Sequence, residues 1–154
     1  MAGLIAMLKL CFPLTVGGRH HLKDLQGPFL VAANHTGFLD GPCIAAAIGR
    51  PLTFMVGDWV LAWPLVGPLL KRLDTIPVHP DAPLGSLKRG LAKLRAGQSV
   101  CIFPEGKLST DGRMVGFQAG VSFLQRKTRV PVVPVSIQGG FRAWAWGKRF
   151  PRLG

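Results

Sequence analysis

Residues 28–42 read Pro28-Phe29-Leu30-Val31-Ala32-Ala33-Asn34-His35-Thr36-Gly37-Phe38-Leu39-Asp40-Gly41-Pro42. A short apolar run stops at Asn34, passes through a Gly-bearing turn, and meets Asp40-Gly41-Pro42, which carries the chemistry of a helix start. A run of this length without apolar/polar alternation predicts a strand covered on both faces, as in the middle of a parallel sheet. Four further runs share its character: Leu52–Val56, Thr75–Val78, Ser99–Phe103 and Val130–Ile137. Helix-length segments separate them. Leu84, Leu87, Leu91 and Leu94 make one apolar stripe, Lys88, Arg89, Lys93 and Arg95 mostly face away, and Asp81 with Pro83 supplies start signals. Phe117, Gly120, Val121 and Leu124 repeat the spacing in a later segment. Strands alternating with helices predict an α/β fold, a central largely parallel or mixed sheet flanked by helices.

The chain has 154 residues, the size of one domain, and 48% hydrophobic against 17% charged residues, which excludes disorder driven by low hydrophobicity. Its formal charge of +12 is lopsided: residues 1–70 carry four basic and three acidic side chains, residues 71–154 fifteen and four. Such a basic half favours an anionic partner. Nucleic acid is the weaker candidate, because the chain has no Tyr, and its one basic run mixed with aromatics, Phe141 to Phe150, also reads as a membrane-interface anchor. Cys11, Cys43 and Cys101 are too few and too scattered for a disulfide framework or a CxxC metal site, which fits a reducing compartment. Residues 1–16 are apolar apart from Lys9, but Pro13 breaks a run already shorter than the ~20 residues of a spanning helix. Residues 1–13 are therefore expected to form a membrane-association segment ahead of a domain at 14–154, with an N-terminal core helix as the alternative.

In α/β sheets ligands sit at the carboxyl ends of strands, so polar residues that interrupt those ends are the candidates for chemistry. His35 and Asp40 are five apart, which on a straight helix leaves them about 140° around the axis; they meet only across a turn. A carboxylate on one imidazole nitrogen fixes the tautomer and leaves the other nitrogen as a base. Helix capping by Asp40 and a satisfied strand-end polar role for His35 are the simpler readings. Glu105 is the only glutamate, placed directly after an apolar run and Pro104. Beside Lys107 and Arg113 it holds those cations or accepts from a substrate hydroxyl, with loop bracing as the alternative, and the two cations suit a phosphate. No P-loop, dinucleotide fingerprint or serine-hydrolase elbow is present. His20, His21 and His79 lack partners at ligand spacing and read as structural or surface residues.

Taken in order, Asn34-His35-x4-Asp40, Thr75-Ile76-Pro77-Val78, Phe103-Pro104-Glu105-Gly106 and Val130-Pro131-Val132-Val133-Pro134-Val135 resemble the four motifs of the glycerolipid (lysophospholipid) acyltransferase family, across residues 14–140. Phe38-Leu39-Asp40-Gly41 and His79-Pro80-Asp81-Ala82-Pro83 are similar in kind to the acyltransferase portion of the bifunctional 2-acylglycerophosphoethanolamine acyltransferase/acyl-carrier-protein synthetase. The resemblance implies a lysophospholipid acyltransferase in which His35 takes a proton from an acceptor hydroxyl that then attacks an acyl-CoA or acyl-carrier-protein thioester, with Asp40 orienting His35. It implies that Glu105 and Gly106 shape the acyl-acceptor site and that Pro134 supports the acyl-chain side. No metal, nucleic acid or cofactor beyond the thioester co-substrate is implied, and the expected setting is peripheral or monotopic association with phospholipid at the cytoplasmic face of the inner membrane.

The departures from the family pattern also carry implications. The family's second motif usually ends Val-Asp-Arg, where this chain has Val78-His79-Pro80, and its third often continues Thr-Arg-Ser, where this chain has Lys107-Leu108-Ser109. A diester headgroup such as phosphoethanolamine then fits better than a terminal phosphate, with Lys107, Arg72 or Arg113 as substitute contacts; 1-acylglycerol-3-phosphate stays the other acceptor. Members usually continue past position 154 with another strand, so the chain is expected to be a fragment or a minimal domain. The competing readings are a catalytically idle membrane-surface module and a thioesterase-like hydrolase.

Overall fold

The computed structural model describes residues 12, 14–64 and 66–152. The expected membrane-association segment at 1–13 thus lies, Phe12 apart, outside the described residues. Among the described residues no helix is long and apolar enough to cross a membrane.

A 3-10 turn at Arg19–Leu22 leads into β1 (Leu30–Ala33), α1 (Asp40–Ile48) and β2 (Thr53–Gly57). A second 3-10 segment, Asp58–Ala62, precedes α2 (Val66–Arg72), β3 (Ile76–Val78), α3 (Pro83–Arg95) and β4 (Val100–Ile102). The chain closes with α4 (Gly120–Thr128), β5 (Val132–Val135) and α5 (Gly140–Trp144). All five predicted strands are present: β2 begins and ends one residue later than expected, and the other four are trimmed at one or both ends. They form one sheet ordered β3-β2-β4-β1-β5, and every pair is parallel. Leu30 stands opposite Val100 on one side and Val132 on the other.

The pleat divides the core. Leu30, Met55, Val100 and Ile102 project into one layer with Leu94 of α3 and Leu124 of α4, while Val31, Cys101 and Phe29 project into the other with Ile44 and Ile48 of α1. This explains the unbroken apolar runs of β1 and β4, which need apolar side chains on both faces. Both outer strands carry a proline, Pro77 in β3 and Pro134 in β5. Proline cannot donate to a ladder and settles at sheet edges.

The helical stripes are corrected in part. Leu94 is buried and Leu87 and Leu91 pack half-buried against the core as the stripe predicts, but Leu84 is exposed, and α3 also buries Ser86 and Gly90. A Cβ on Gly90 would lie 3.6 Å from the Leu124 side chain, an ordinary packing contact, so α3 faces α4 there without crowding. Asp81 does not cap α3; Ala82 occupies that position and Pro83 begins the helix. Phe117 precedes α4 and is exposed.

Candidate active site

Because the strands are parallel, their carboxyl ends share one edge, and the chain departs from it at Asn34, Asp58, His79, Phe103 and Ser136. The turn after β1 carries the first candidate pair. His35 Nδ1 lies 3.0 Å from Asp40 Oδ2. Asp40 is the first residue of α1 rather than its cap: its carboxylate turns back over the preceding loop, where Oδ2 also accepts the backbone N–H groups of Thr36 at 2.6 Å and Gly37 at 2.8 Å. An oxygen already accepting two amide protons acts as an acceptor toward the ring too. That puts the ring proton of neutral His35 on Nδ1 and leaves the lone pair on Nε2.

Three contacts hold the imidazole in place. It stacks on Phe103 with centroids 3.9 Å apart and planes 15° from parallel. The His35 backbone N–H donates to Glu105 Oε1 at 2.7 Å, and its carbonyl accepts the Ser109 N–H at 2.9 Å. The His35 side chain is 23% exposed and that of Asp40 fully buried, so the ring reaches solvent while its partner does not. Thr36 Oγ1 and Asp40 Oδ1 are buried without a hydrogen-bond partner among the described residues. Both face Gly140: a Cβ there would overlap Asp40 Oδ1 and sit 2.8 Å from Thr36 Oγ1. On the other side of the same junction, a Cβ on Gly37 would lie 2.6 Å from the Gly140 carbonyl carbon. Two glycines thus let α5 close on the turn, and the Phe38 N–H donating to Trp144 O at 3.1 Å ties it down.

Glu105 is buried and spans two loops, accepting from His35 through Oε1 and from the Val115 N–H through Oε2 at 3.0 Å. The expectation that it holds Lys107 and Arg113 by charge is corrected: both are exposed, and no ion pair joins either to Glu105 among the described residues. Gly106 takes φ +70°, a left-handed turn that returns the chain, and the Gln118 amide fills the space a side chain would need. Lys107 and Arg113 share this loop at the carboxyl edge. Asp111 in the same loop has its carboxyl held below the usual range by the Arg113 N–H and, less strongly, by the Ser109 hydroxyl.

Arg72 is displaced from the group. It ends α2, which runs back toward the amino ends of the strands before β3, so it stands on the opposite edge of the sheet from His35. Pro134 is exposed in β5 and lines a groove of about 1080 Å³ whose walls also include Asn34, Thr36, Met114, Phe117 and Phe141. Asn34 shapes the entrance, its amide donating to Ile137 O at 2.9 Å and accepting from Ile137 N at 2.7 Å.

Sequence reasoning missed a second pair. His79, assigned a surface role, has its Nδ1 2.7 Å from Asp58 Oδ2, across the ends of β3 and β2. Twenty-one positions separate the two, so no local spacing announces them. Burial raises the Cys43 thiol pKa, with a smaller contribution from the Asp40 charge, and burial alone pushes Cys101 far above the ordinary thiol range. Among the described residues no three His, Cys, Asp or Glu side chains gather to hold a metal ion.

Comparison with known proteins gives this edge a context. The chain is 30% identical over 127 residues to a chloroplast 1-acyl-sn-glycerol-3-phosphate acyltransferase of Brassica napus, covering 80% of this chain and 37% of that protein. It is 29% identical over 133 residues to a lyso-ornithine lipid O-acyltransferase of Pseudomonas aeruginosa, covering 85% and 51%. The crystal structure of the 1-acyl-sn-glycerophosphate acyltransferase from Thermotoga maritima superposes with a TM-score of 0.80 at 26% identity, over 96% of this chain and 61% of that one. The chain therefore spans about a third to a half of the length of these two curated relatives. The Acyltransferase family model matches residues 13–138, from before the first strand to past the last, and the chain belongs to that family.

Proposed function

We propose that this chain carries the acyl-transfer site of a lysophospholipid O-acyltransferase. The observation that carries the reading is the His35–Asp40 contact at the carboxyl edge: a buried carboxylate fixes Nδ1 as donor and leaves Nε2 of a partly exposed ring able to take a proton. The acceptor hydroxyl gives its proton to Nε2 as its oxygen attacks the thioester carbonyl. As the tetrahedral intermediate collapses, the C–S bond breaks and the imidazolium returns the proton to the leaving thiolate. Asp40 stays a carboxylate throughout and stabilises the transient imidazolium. No acyl-enzyme forms, and no cofactor is needed beyond acyl-CoA or acyl-carrier protein as co-substrate.

Glu105 acts as a brace in this scheme: with both oxygens on backbone amides, it fixes the His35 loop against the Val115 loop. The groove beside Asn34 and Thr36, walled by Met114, Phe117, Pro134 and Phe141, suits an acyl chain. Lys107 and Arg113, exposed on the loop that Glu105 anchors, suit the acceptor phosphate, and the Val78-His79-Pro80 departure favours a diester such as 2-acylglycerophosphoethanolamine over 1-acylglycerol-3-phosphate. The site works on lipid held at a cytoplasmic membrane surface.

The test is an acceptor screen with the purified chain, one labelled acyl thioester and a panel of lysolipids read by mass. Acylated lipid appearing with free thiol supports the reading, and lysophosphatidylethanolamine outranking lysophosphatidic acid supports the headgroup assignment. Free fatty acid without acylated lipid would favour a thioesterase, and an unconsumed thioester with every acceptor would leave a binding module.

A further inference from the structure

All four tryptophans of the chain converge on one point. Phe38, three residues past His35, has ring centroids of Trp63, Trp144, Trp146 and Trp59 at 5.2, 5.4, 5.9 and 6.3 Å, and Trp59 lies 5.1 Å from Trp146 and 5.7 Å from Trp63. Three separated stretches supply these rings: the turn after β1, the segment after β2, and α5 with the residues that follow it. A core cluster would be sealed, but this one is not. Trp59 is 40% and Trp146 48% exposed, and Phe150 in the last stretch is 72% exposed. Residues 140–152 carry four exposed cations, Arg142, Lys148, Arg149 and Arg152, and no acidic side chain. The nearest carboxylate in sequence, Asp58 beside Trp59, is occupied by His79.

We infer that this aromatic cluster is the face on which the protein seats on a phospholipid bilayer containing anionic lipid. Indole rings with an apolar body and a polar N–H concentrate at the headgroup boundary, and Lys and Arg beside them gain from the negative surface potential. The partner's identity rests on the acyltransferase reading, because the cluster adjoins the catalytic turn directly: Phe38 belongs to that turn, and Trp144 accepts its N–H. Seated this way, the bilayer surface lies beside His35, so a lysolipid reaches the base without leaving the interface for water. An acidic protein surface, such as an acyl carrier, would also attract the cations, but it gives no account of two exposed indoles, Trp59 and Trp146, seated on a cluster that gathers all four.

Because every tryptophan lies in the cluster, intrinsic emission reports on this face alone. The experiment uses the whole chain with phosphatidylcholine vesicles, with and without phosphatidylglycerol, each doped with a lipid carrying a nitroxide near the carbonyl end of its acyl chain. With phosphatidylglycerol present, emission should shift to the blue and be quenched by the nitroxide, and partitioning should fall as salt rises. Phe150→Ser should weaken partitioning on the order of 10-fold. The Lys148→Gln/Arg149→Gln double variant should weaken it by about 30-fold on anionic vesicles alone. An unchanged thermal midpoint shows that each variant is folded. Cosedimentation without tryptophan quenching would overturn the inference, since another part of the chain or charge alone would then do the binding. No partitioning, or partitioning indifferent to both variants, would overturn it as well. Vesicle binding is measured without turnover: quenching with no acyl transfer leaves the docking face standing and removes the acyltransferase reading, and transfer without quenching does the reverse.

Discussion

Two His–Asp pairs share the carboxyl edge of one sheet, and their inter-residue distances barely distinguish them: 3.0 Å for His35–Asp40 and 2.7 Å for His79–Asp58. Their surroundings differ greatly. Asp40 is fully buried and receives two backbone amides as well as the ring, whereas Asp58 is 32% exposed and accepts, among the described residues, only His79 and the N–H of the next residue, Trp59. His35 is held by Phe103 and by Glu105 and Ser109 of the loop that follows it; His79 is 59% exposed, and among the described residues nothing comparable fixes it. A short contact therefore does not make a base. What sets the first pair apart is an acid group buried on amide donors, facing a ring that stays partly exposed.

The sharpest way to break this comparison is to neutralise each carboxylate. Asp40→Asn should cost about 2 kcal/mol of stability, because amides and a ring that met a charge then meet a neutral group, and it should lower acyl transfer by roughly 100-fold or more. Asp58→Asn should cost less than about 1 kcal/mol, as expected for a partly exposed pair screened by water, with little change in rate. Denaturant titration and steady-state assays read both; equal losses at the two sites would erase the distinction.

Two glycines sharpen it further. Alanine is favoured over glycine in a helix by about 1 kcal/mol, so Gly85→Ala in α3, where a Cβ meets open space, should stabilise by up to that amount. Gly140→Ala in α5 has the same propensity gain but drives a methyl into Asp40 Oδ1, so it should be net destabilising by about 1–2 kcal/mol and lower kcat more than it raises KM. Stabilisation by both would mean that α5 does not press on the turn.

The smallest effect concerns Cys43. Its raised thiol pKa leaves less thiolate at a given pH, so half-maximal alkylation should come at higher pH than for an ordinary thiol, with Cys101 unreactive in the native state. In Asp40→Asn the Cys43 rate should rise modestly, because burial, the larger cause, is untouched. Mass spectrometry of alkylated peptides decides it.

Much of this architecture is legible in the residues. The unbroken apolar runs at 30–33 and 100–102 announce strands covered on both faces, and the prolines at 77 and 134 mark the two edges. His35 and Asp40 are legible because a turn of five residues brings them together. The rest depends on long-range packing. Glu105 looks like a ligand group in sequence, yet the fold closes two loops over it and spends both oxygens on amides. Arg72 looks like a nearby cation, yet a helix of seven residues carries it to the far edge. The Asp58–His79 pair and the tryptophan cluster draw on segments from 38 to 146, and no local pattern encodes such meetings.

The central claim, that Nε2 of His35 is the base and that its neighbourhood rather than its pairing makes it so, is tested most directly by His35→Ala beside His79→Ala in a single assay of acylated lipid and released thiol. The account predicts a loss of about 100- to 10,000-fold for His35→Ala, with an unaltered circular dichroism spectrum, and a change of less than about threefold for His79→Ala. Transfer at the parent rate by His35→Ala, or an equal collapse in His79→Ala, would contradict it.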